Sequence, residues 1–323
     1  MVFPFGGKGS RILPCVTTAE VATQHHRIPL RAALLGSAVW LGWATLFPSS
    51  PEHTLVALSP LVLHPLVMRL ASLDGTQGLP WRIAVWGQLP AATALVVAFT
   101  LGQSPGAGAL SLPWLLVCFS TAGHAILRRR RDGLRPDGAL LLDIGLLLLP
   151  VGGLWATASC FGMRPLGTDP TITLLTAAHF HYAGFVLPVL AGLTALRLDS
   201  ARWTGAGLVA VAGIVLVAAG ISASPLLEAF GAFVLTIGAF GIAIGQVVVA
   251  RDTELPFPTI LLALSSASLL YAMSLASIYA YSELQGSGWP GIPAMVELHG
   301  TLQALGTCLM GVWAWTIQPP RLS

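Results

Sequence analysis

The sequence predicts an all-α protein, a bundle of about ten transmembrane helices, and three observations support this fold class. The 323-residue chain is 55% hydrophobic and only 9% charged, with a mean hydropathy of +0.78, whereas soluble domains carry about 25% charged residues. Apolar stretches of about 18 to 26 residues recur, long enough to cross a hydrocarbon core of about 30 Å as helices. Helix breakers such as Pro48-Ser-Ser-Pro51 and Ser104-Pro105-Gly106 separate the stretches.

The chain divides into one membrane domain and two tails. Residues 1–29 are polar and contain no apolar core of signal-peptide length, so we expect them to form a cytoplasmic tail. Residues 318–323 are expected to form a short tail at the other end, and residues 30–317 hold the spans. The predicted spans are 30–48, 54–72, 81–102, 110–128, 139–160, 171–196, 203–222, 225–250, 257–282 and 291–317.

The basic residues predict the orientation of these spans. Cytoplasmic loops of membrane proteins hold most of the Lys and Arg. With the N-terminus inside, ten spans place every Lys and Arg except Arg164 on the cytoplasmic side. Both termini are therefore predicted to be cytoplasmic. The run Arg128–Arg131 is interpreted as a topology anchor beside anionic headgroups.

Several function classes are excluded by composition and motifs. The basic residues lie singly between apolar runs rather than along one exposed face, so no nucleic-acid partner is implied. No nucleotide-binding loop or nucleophile elbow is present, which argues against ATP-driven transport. The four cysteines stand far apart without a CxxC spacing, so neither a disulfide framework nor a zinc ribbon is expected.

Polar residues inside the predicted spans are the candidates for function, because they are costly there. Two segments stand out, residues 176–185 (TAAHFHYAGF) and residues 295–306 (MVELHGTLQALG). Both spans run from outside to inside, so their ionisable groups lie at a similar depth and the sixth and tenth spans are expected to meet. On a helix His179 and His181 point in nearly opposite directions, so they cannot both enter one small site.

We predict that His179, Glu228 and His299 border one pocket in the outer half of the bundle and act as catalytic residues. Asp143 is set aside as a separate structural group that pairs with Arg135 or lies at a helix end. Further pocket residues are expected from the same helices, the ninth span and the loop before the sixth span. They are His181, Tyr182, Glu297, Gln303, Arg164, Asp169 and Tyr271.

Four stretches of the chain resemble the YndJ-like family of bacterial membrane proteins. They are residues 164–170 (RPLGTDP), 175–188 (LTAAHFHYAGFVLP), 218–228 (AAGISASPLLE) and the closing motif from Leu298 to Gly306. The resemblance lies mainly within residues 160–315. It implies a polytopic protein of the bacterial inner membrane and does not imply an activity.

A shorter similarity concerns haem ligation. Residues 178–182 (AHFHY) look like the segment of the haem–copper oxidase catalytic subunit in which nearby histidines bind two haems, and residues 298–301 (LHGT) resemble its partner helix. This similarity implies haem as an alternative cofactor, held by His181 or His179 together with His299. A zinc site from the same histidines is the non-haem version.

Three function classes remain open. The favoured one is an intramembrane enzyme without a cofactor, which uses a histidine and a carboxylate for acid–base chemistry such as isomerisation, cyclisation or epoxide opening on a lipophilic molecule. The second is a proton-coupled transporter or permease, and the third is a haem or metal protein. The expected partners are a lipophilic small molecule and membrane lipids. The sequence does not fix the oligomeric state.

Overall fold

Ten helices make up the part of the chain that the computed structural model describes, which is residues 18–47, 50–72 and 78–320. No strand occurs among these residues, and the predicted all-α class is confirmed. Eight of the helices, α2 to α9, are long and apolar enough to cross a membrane. The helices are α1 (Thr18–Leu46), α2 (Pro51–Ala71), α3 (Leu79–Thr100), α4 (Pro105–Asp132), α5 (Gly138–Cys160), α6 (Pro170–Leu198), α7 (Ala201–Ala223), α8 (Pro225–Arg251), α9 (Pro256–Leu284) and α10 (292–317).

The predicted spans and the observed helices agree in number and order, and they differ most at the N-terminus. Helix α1 begins at Thr18, so part of the segment predicted as a tail is helical. It continues through Pro29, inside the helix. Residues 1–17 and 321–323, which belong to the two predicted tails, lie outside the described residues.

The helix starts follow from local sequence. Seven helices have a proline in their first turn, namely α2, α3, α4, α6, α8, α9 and α10. At this position the fixed φ of proline suits the helix, and its missing N–H is not needed. Four helices begin with a side chain that accepts a backbone N–H of the first turn. These caps are Ser50 for α2, Ser104 for α4, Asp137 for α5 and Asp169 for α6.

Helix α6 lies at the centre of the bundle, because its side chains join both large apolar cores. One core gathers side chains mainly from α1 to α6 and α10, and the other gathers side chains of α5 to α9. Helices α7 and α8 pack backbone against backbone through small residues. A Cβ added at Gly213 would lie 2.3 Å from the backbone nitrogen of Leu235, and one at Gly238 would lie 2.3 Å from that of Ala210.

Three helices contain π-helical segments, and these segments meet. They span Ser59–Leu63 in α2, Phe180–Val186 in α6, and both Val296–Gly300 and Leu302–Leu309 in α10. The segment of α6 contacts those of α2 and α10, which confirms that the sixth and tenth helices are neighbours. π-Helical turns are rare and occur often at functional sites. Because π-helical segments of three helices converge here, this region is a candidate for function.

A buried ion pair holds together one end of α2, α4 and α5. Arg128 donates from Nε to Oδ1 of the fully buried Asp143 at 2.8 Å, and Arg129 forms an ion pair with the other carboxylate oxygen. Arg128 also donates to the backbone carbonyl of Ala71, the last residue of α2. The expectation that Asp143 pairs with Arg135 is wrong. Part of the arginine run turns inward, because a buried carboxylate needs a charged partner within reach.

The helix directions place Arg130 and Arg164 at opposite ends of the bundle, since α4 and α5 are packed antiparallel neighbours. Both residues are exposed. We expect a Cys introduced by Arg164→Cys to react with a membrane-impermeant maleimide on intact cells, and one introduced by Arg130→Cys to react only after the membrane is opened. Both variants are made in a Cys15→Ser background, because the other three cysteines are buried. Equal labelling of both variants in intact cells would contradict the topology.

Candidate functional site

His181 lies in the interior of the bundle with both ring nitrogens in use. Its Nδ1–H donates to the carbonyl of Ala177 at 2.8 Å, and its Nε2 accepts the indole N–H of Trp114 at 3.1 Å. The two rings also stack, with centroids 5.9 Å apart. This pattern fixes His181 as the neutral tautomer that carries its proton on Nδ1, because a second proton would displace the indole donor.

His64 lies beside this pair and is fully buried. Its Nδ1 is 2.9 Å from Oε1 of Gln88 on α3, and its Nε2 is 2.9 Å from Oγ1 of Thr121 on α4. The ring meets Trp114 edge to face at 5.2 Å, which connects it to the His181 pair. Both nitrogens of His64 therefore face side-chain oxygens from two other helices.

The buried face of α4 carries a row of polar side chains that we call the α4 polar row. Its members are all buried and follow helical spacing: Ser111, Trp114, Thr121, His124 and Arg128. From Ser111 to Arg128 the helix rises about 25 Å at 1.5 Å per residue. The row therefore extends over most of the thickness of a hydrocarbon core.

Each end of the α4 polar row meets a distinct feature. Arg128 forms the ion pair with Asp143, and Ser111 lies in hydrogen-bond contact with the thiol of Cys160. Cys160 lines a cavity of about 370 Å³, which we call the Glu52 cavity. The cavity lies between the ends of α3 and α5 and the beginnings of α2 and α6. Its lining residues are Ser50, Glu52, His53, Ala98, Phe99, Gly102, Gln103, Ser159, Cys160, Pro170, Thr171 and Leu174.

Two of the predicted catalytic residues, His179 and His299, lie close enough for their charges to interact. The Nδ1–H of His179 donates to the carbonyl of Leu175 at 2.8 Å, and that of His299 donates to the carbonyl of Ala272 on α9 at 2.9 Å. These bonds leave the Nε2 lone pair as the basic position of each neutral ring. His179 is exposed on the outside of the bundle, whereas His181 is buried, so the two rings point apart.

Glu228, the third predicted catalytic residue, interacts with α7 and α9. It occupies the first turn of α8, where Gly220 of α7 packs against its backbone. Glu283 on α9 interacts electrostatically with Glu228, and both carboxylates interact electrostatically with the hydroxyl of Tyr279. The interactions described for Glu228 are therefore with the α9 end rather than with the two histidines.

Tyr182 joins the π-helical region to α2. Its hydroxyl donates to the carbonyl of Leu55, and a Cβ added at Gly300 would lie 3.0 Å from the side chain of that same leucine. Gln303 is half-buried on a π segment of α10. Tyr182, Gly300 and His299 thus lie around one junction of α2, α6, α9 and α10.

The other predicted pocket residues lie on the surface. Glu297 is exposed on α10, and 60% of the Tyr271 side chain is exposed on α9. Arg164 is exposed in the α5–α6 loop, and Asp169 caps α6 by accepting the N–H of Ile172 at 3.0 Å. The role predicted for these residues in a substrate pocket stays a prediction.

The interior network of His64, Gln88, Trp114 and Thr121 was not predicted from the sequence. A signal was present, because His64 and Gln88 are polar residues in the middle of predicted spans, the same criterion that singled out His179 and His299. What the sequence could not supply was the rotation of α2, α3 and α4 about their axes, which turns these four side chains toward one another.

The described residues contain no group of three His, Cys, Asp or Glu side chains that could hold a metal ion. Of the histidines proposed as alternative ligands, His181 already accepts the Trp114 indole at Nε2. His179 and His299 each keep Nε2 as a possible donor to a metal. Haem or zinc binding at these two rings stays a prediction.

Comparison with known proteins places the chain in a family. A family model described as YndJ-like protein matches residues 54–307, which is more than half of the chain. The chain belongs to the YndJ-like family. The match runs from α2 to α10 and therefore includes His64, Gln88, Trp114, Thr121, His181 and His299.

One curated relative is an uncharacterized membrane protein YndJ from Bacillus subtilis (strain 168), which is 27% identical over 223 residues. The match covers 66% of this chain and 39% of that relative, so the chain spans well under half of the relative's length. No solved structure matches the chain. The resemblance predicted from the residues is confirmed, and the chain is an integral membrane protein.

The position of His181 depends on a glycine of α5. A Cβ added at Gly152 would lie 2.7 Å from its Nδ1, so Gly152→Ala forces the ring and its Trp114 contact to shift. We expect this variant to destabilise the protein by about 1–3 kcal/mol, measured by thermal unfolding in detergent. Gly205→Ala is the control, because its Cβ meets nothing within 4 Å. Equal loss of stability in both variants would mean that the His181 packing is not the cause.

Proposed function

We propose that the protein is a proton-coupled transporter of the bacterial cytoplasmic membrane, in which His64 carries the proton. The observation that supports this proposal is the environment of His64. It is a fully buried imidazole whose two nitrogens each lie 2.9 Å from a side-chain oxygen. An ionisable group at this depth is expensive, and a functional role explains why it is there.

The partners of His64 suit the charged ring. Thr121 uses its own proton to donate to the carbonyl of Val117 at 2.9 Å, so it accepts from the Nε2–H of His64. An imidazolium can then donate its Nδ1–H to Oε1 of Gln88, which satisfies both N–H groups.

The same partners suit the neutral ring. If Nδ1 of His64 loses its proton, rotation of the Gln88 side-chain amide brings the Nε2–H of Gln88 to the lone pair on Nδ1 of His64. That amide nitrogen has no hydrogen-bond partner among the described residues, so the rotation breaks no other bond. His64 can therefore gain and lose a proton while every ring nitrogen stays hydrogen-bonded, so neither state carries the added cost of an unpaired ring nitrogen.

The surroundings offer approaches to His64 from both ends of the bundle. The α4 polar row extends from the Glu52 cavity at one end to the Arg128–Asp143 ion pair at the other. Thr121 belongs to this row and contacts His64 directly. A transporter that opens alternately to the two sides needs a proton site of this kind between two polar ends.

The test uses proteoliposomes loaded with a pH-sensitive dye and exposed to panels of amines, amino acids, sugars and osmolytes. We expect one class of solute to drive proton entry through the wild-type protein. We expect His64→Gln to lower that rate by at least about tenfold, because the buried proton carrier is gone. Gln88→Leu is also expected to slow it, since the imidazolium loses its Nδ1 acceptor.

Gln246→Leu is the matched control. Gln246 is equally buried but lies on α8, where its Oε1 accepts from Ser266 at 3.3 Å, away from the α4 polar row. This variant should transport normally. Nitrogen NMR of labelled histidine adds a direct readout, in which the wild type shows a buried imidazolium–imidazole transition that His64→Gln lacks. A His64 ring that stays neutral over the stable pH range of the protein would overturn the proposal.

An intramembrane enzyme is the second candidate, favoured by the pair His179 and His299. These rings lie within charge-interaction range of each other, both keep Nε2 as the basic position, and His179 faces outward where a lipophilic molecule could approach. This candidate ranks second because Glu228, the carboxylate proposed as their partner, interacts instead with Glu283 on α9.

The enzyme proposal expects His299→Ala to lower turnover of a lipophilic substrate by about 10² or more, the scale of general acid–base catalysis. Glu228→Gln should do the same only if its carboxylate reaches that site. Membrane insertion and thermal stability are measured in parallel, so that a folding defect is recognised. Normal turnover in His299→Ala would exclude the histidine as the acid or base.

A further inference from the structure

We infer that the Glu52 cavity is a binding site for a small organic cation. This inference goes beyond the proton step at His64, because it concerns a separate cavity and the chemical class of its ligand. The cavity holds about 370 Å³, within the range of small-molecule sites in proteins.

The charge of the cavity is set by one side chain. Glu52 is the single acidic residue among the described lining residues, and that lining contains no Lys or Arg. Helices α2 and α6 begin at the cavity, α3 and α5 end there, and α4 begins just after the lining residue Gln103, so helix ends of both signs surround the site. The carboxylate of Glu52 is therefore the formal negative charge of the described lining.

The wall beside Glu52 is aromatic. The ring of His53 meets that of Phe99 edge to face, with centroids 4.8 Å apart, and both line the cavity. Ser50 fixes the His53 ring through a contact of 2.8 Å between Oγ and Nδ1. An aromatic wall next to a carboxylate is the combination that attracts alkylammonium groups, through the ring quadrupole and the ion pair together.

The rest of the lining completes an amphiphilic site. Leu174 and Ala98 provide apolar surface, and Gln103, Ser159 and Thr171 provide hydrogen-bonding groups. A metal ion is disfavoured as the ligand, because no three metal-binding side chains group together among the described residues. The lining therefore fits an organic cation that carries both methyl or methylene groups and a polar group.

The test is isothermal titration calorimetry on the purified protein in detergent, with choline as the probe. Its neutral isostere 3,3-dimethylbutan-1-ol and the anion acetate are the comparison ligands. We expect saturable binding of choline and at least about tenfold weaker binding of the isostere, because only choline gains the cation–π and ion-pair contacts. Stronger binding of acetate, equal binding of choline and its isostere, or no saturable binding of choline would overturn the inference.

Glu52→Gln keeps the shape of the side chain and removes its charge, so it should weaken choline binding by at least about tenfold, and Phe99→Leu should weaken it several-fold. Glu254→Gln is the matched control, since Glu254 is an exposed carboxylate in the loop between α8 and α9. Thermal unfolding checks that each variant is folded, and Glu52→Asp should restore part of the affinity. Unchanged binding in a folded Glu52→Gln variant would contradict the assignment. Choline binding is measured without a proton gradient. A failure of the cavity to bind choline and a failure of the His64 proposal are therefore separate results.

Discussion

A polar group inside the hydrocarbon layer must find its partner within the protein, because no water is there to replace it. This constraint explains the helical fold and the interior of the bundle alike. Asp143 is fully buried and is matched by two arginines, and Arg128 in turn satisfies a carbonyl at the end of α2. His64 and His181 each have partners at both nitrogens. The interior of α2 to α6 is therefore organised by hydrogen bonds as much as by apolar packing, and the packing of Gly152 against His181 belongs to the same network.

The fold could be predicted almost completely from the sequence, because span length and charge bias are properties of single segments. The site could be predicted only in part. Depth along the membrane follows from counting residues, and it correctly brought α6 and α10 together. Rotation about each helix axis depends on packing with neighbours, and it joins His64 to Gln88 on α3 and Thr121 on α4, which residue counting alone does not predict. The Arg128–Asp143 pair was missed for a similar reason, since Arg128 belongs to a run that charge bias alone assigns to the surface.

Helix α2 links the features that matter most for function. Its first turn supplies Glu52 and His53 to the cavity, its middle carries His64, and its last carbonyl accepts from Arg128. Movement of α2 would therefore affect the cavity, the proton site and the ion pair together. Tyr182 of α6 also donates to α2 at Leu55, so the helices that carry His64 and His181 are joined directly.

The π-helical segment of α2 lies between its cavity end and His64. A π turn holds one residue more than the α turn it replaces, so it is what a helix becomes when a single residue is inserted and the flanking contacts are kept. If the same residues of Ser59–Leu63 were wound as a regular α-helix instead, everything after them would turn by about 100°, the angle between successive residues of an α-helix at 3.6 residues per turn. His64 would then face away from Gln88 and Thr121, although every apolar residue of the span remained. In homologous sequences, a gap of one residue within this segment is therefore compatible with the same His64 site, whereas a gap of one residue elsewhere between the cavity end and His64 turns that histidine away from its partners.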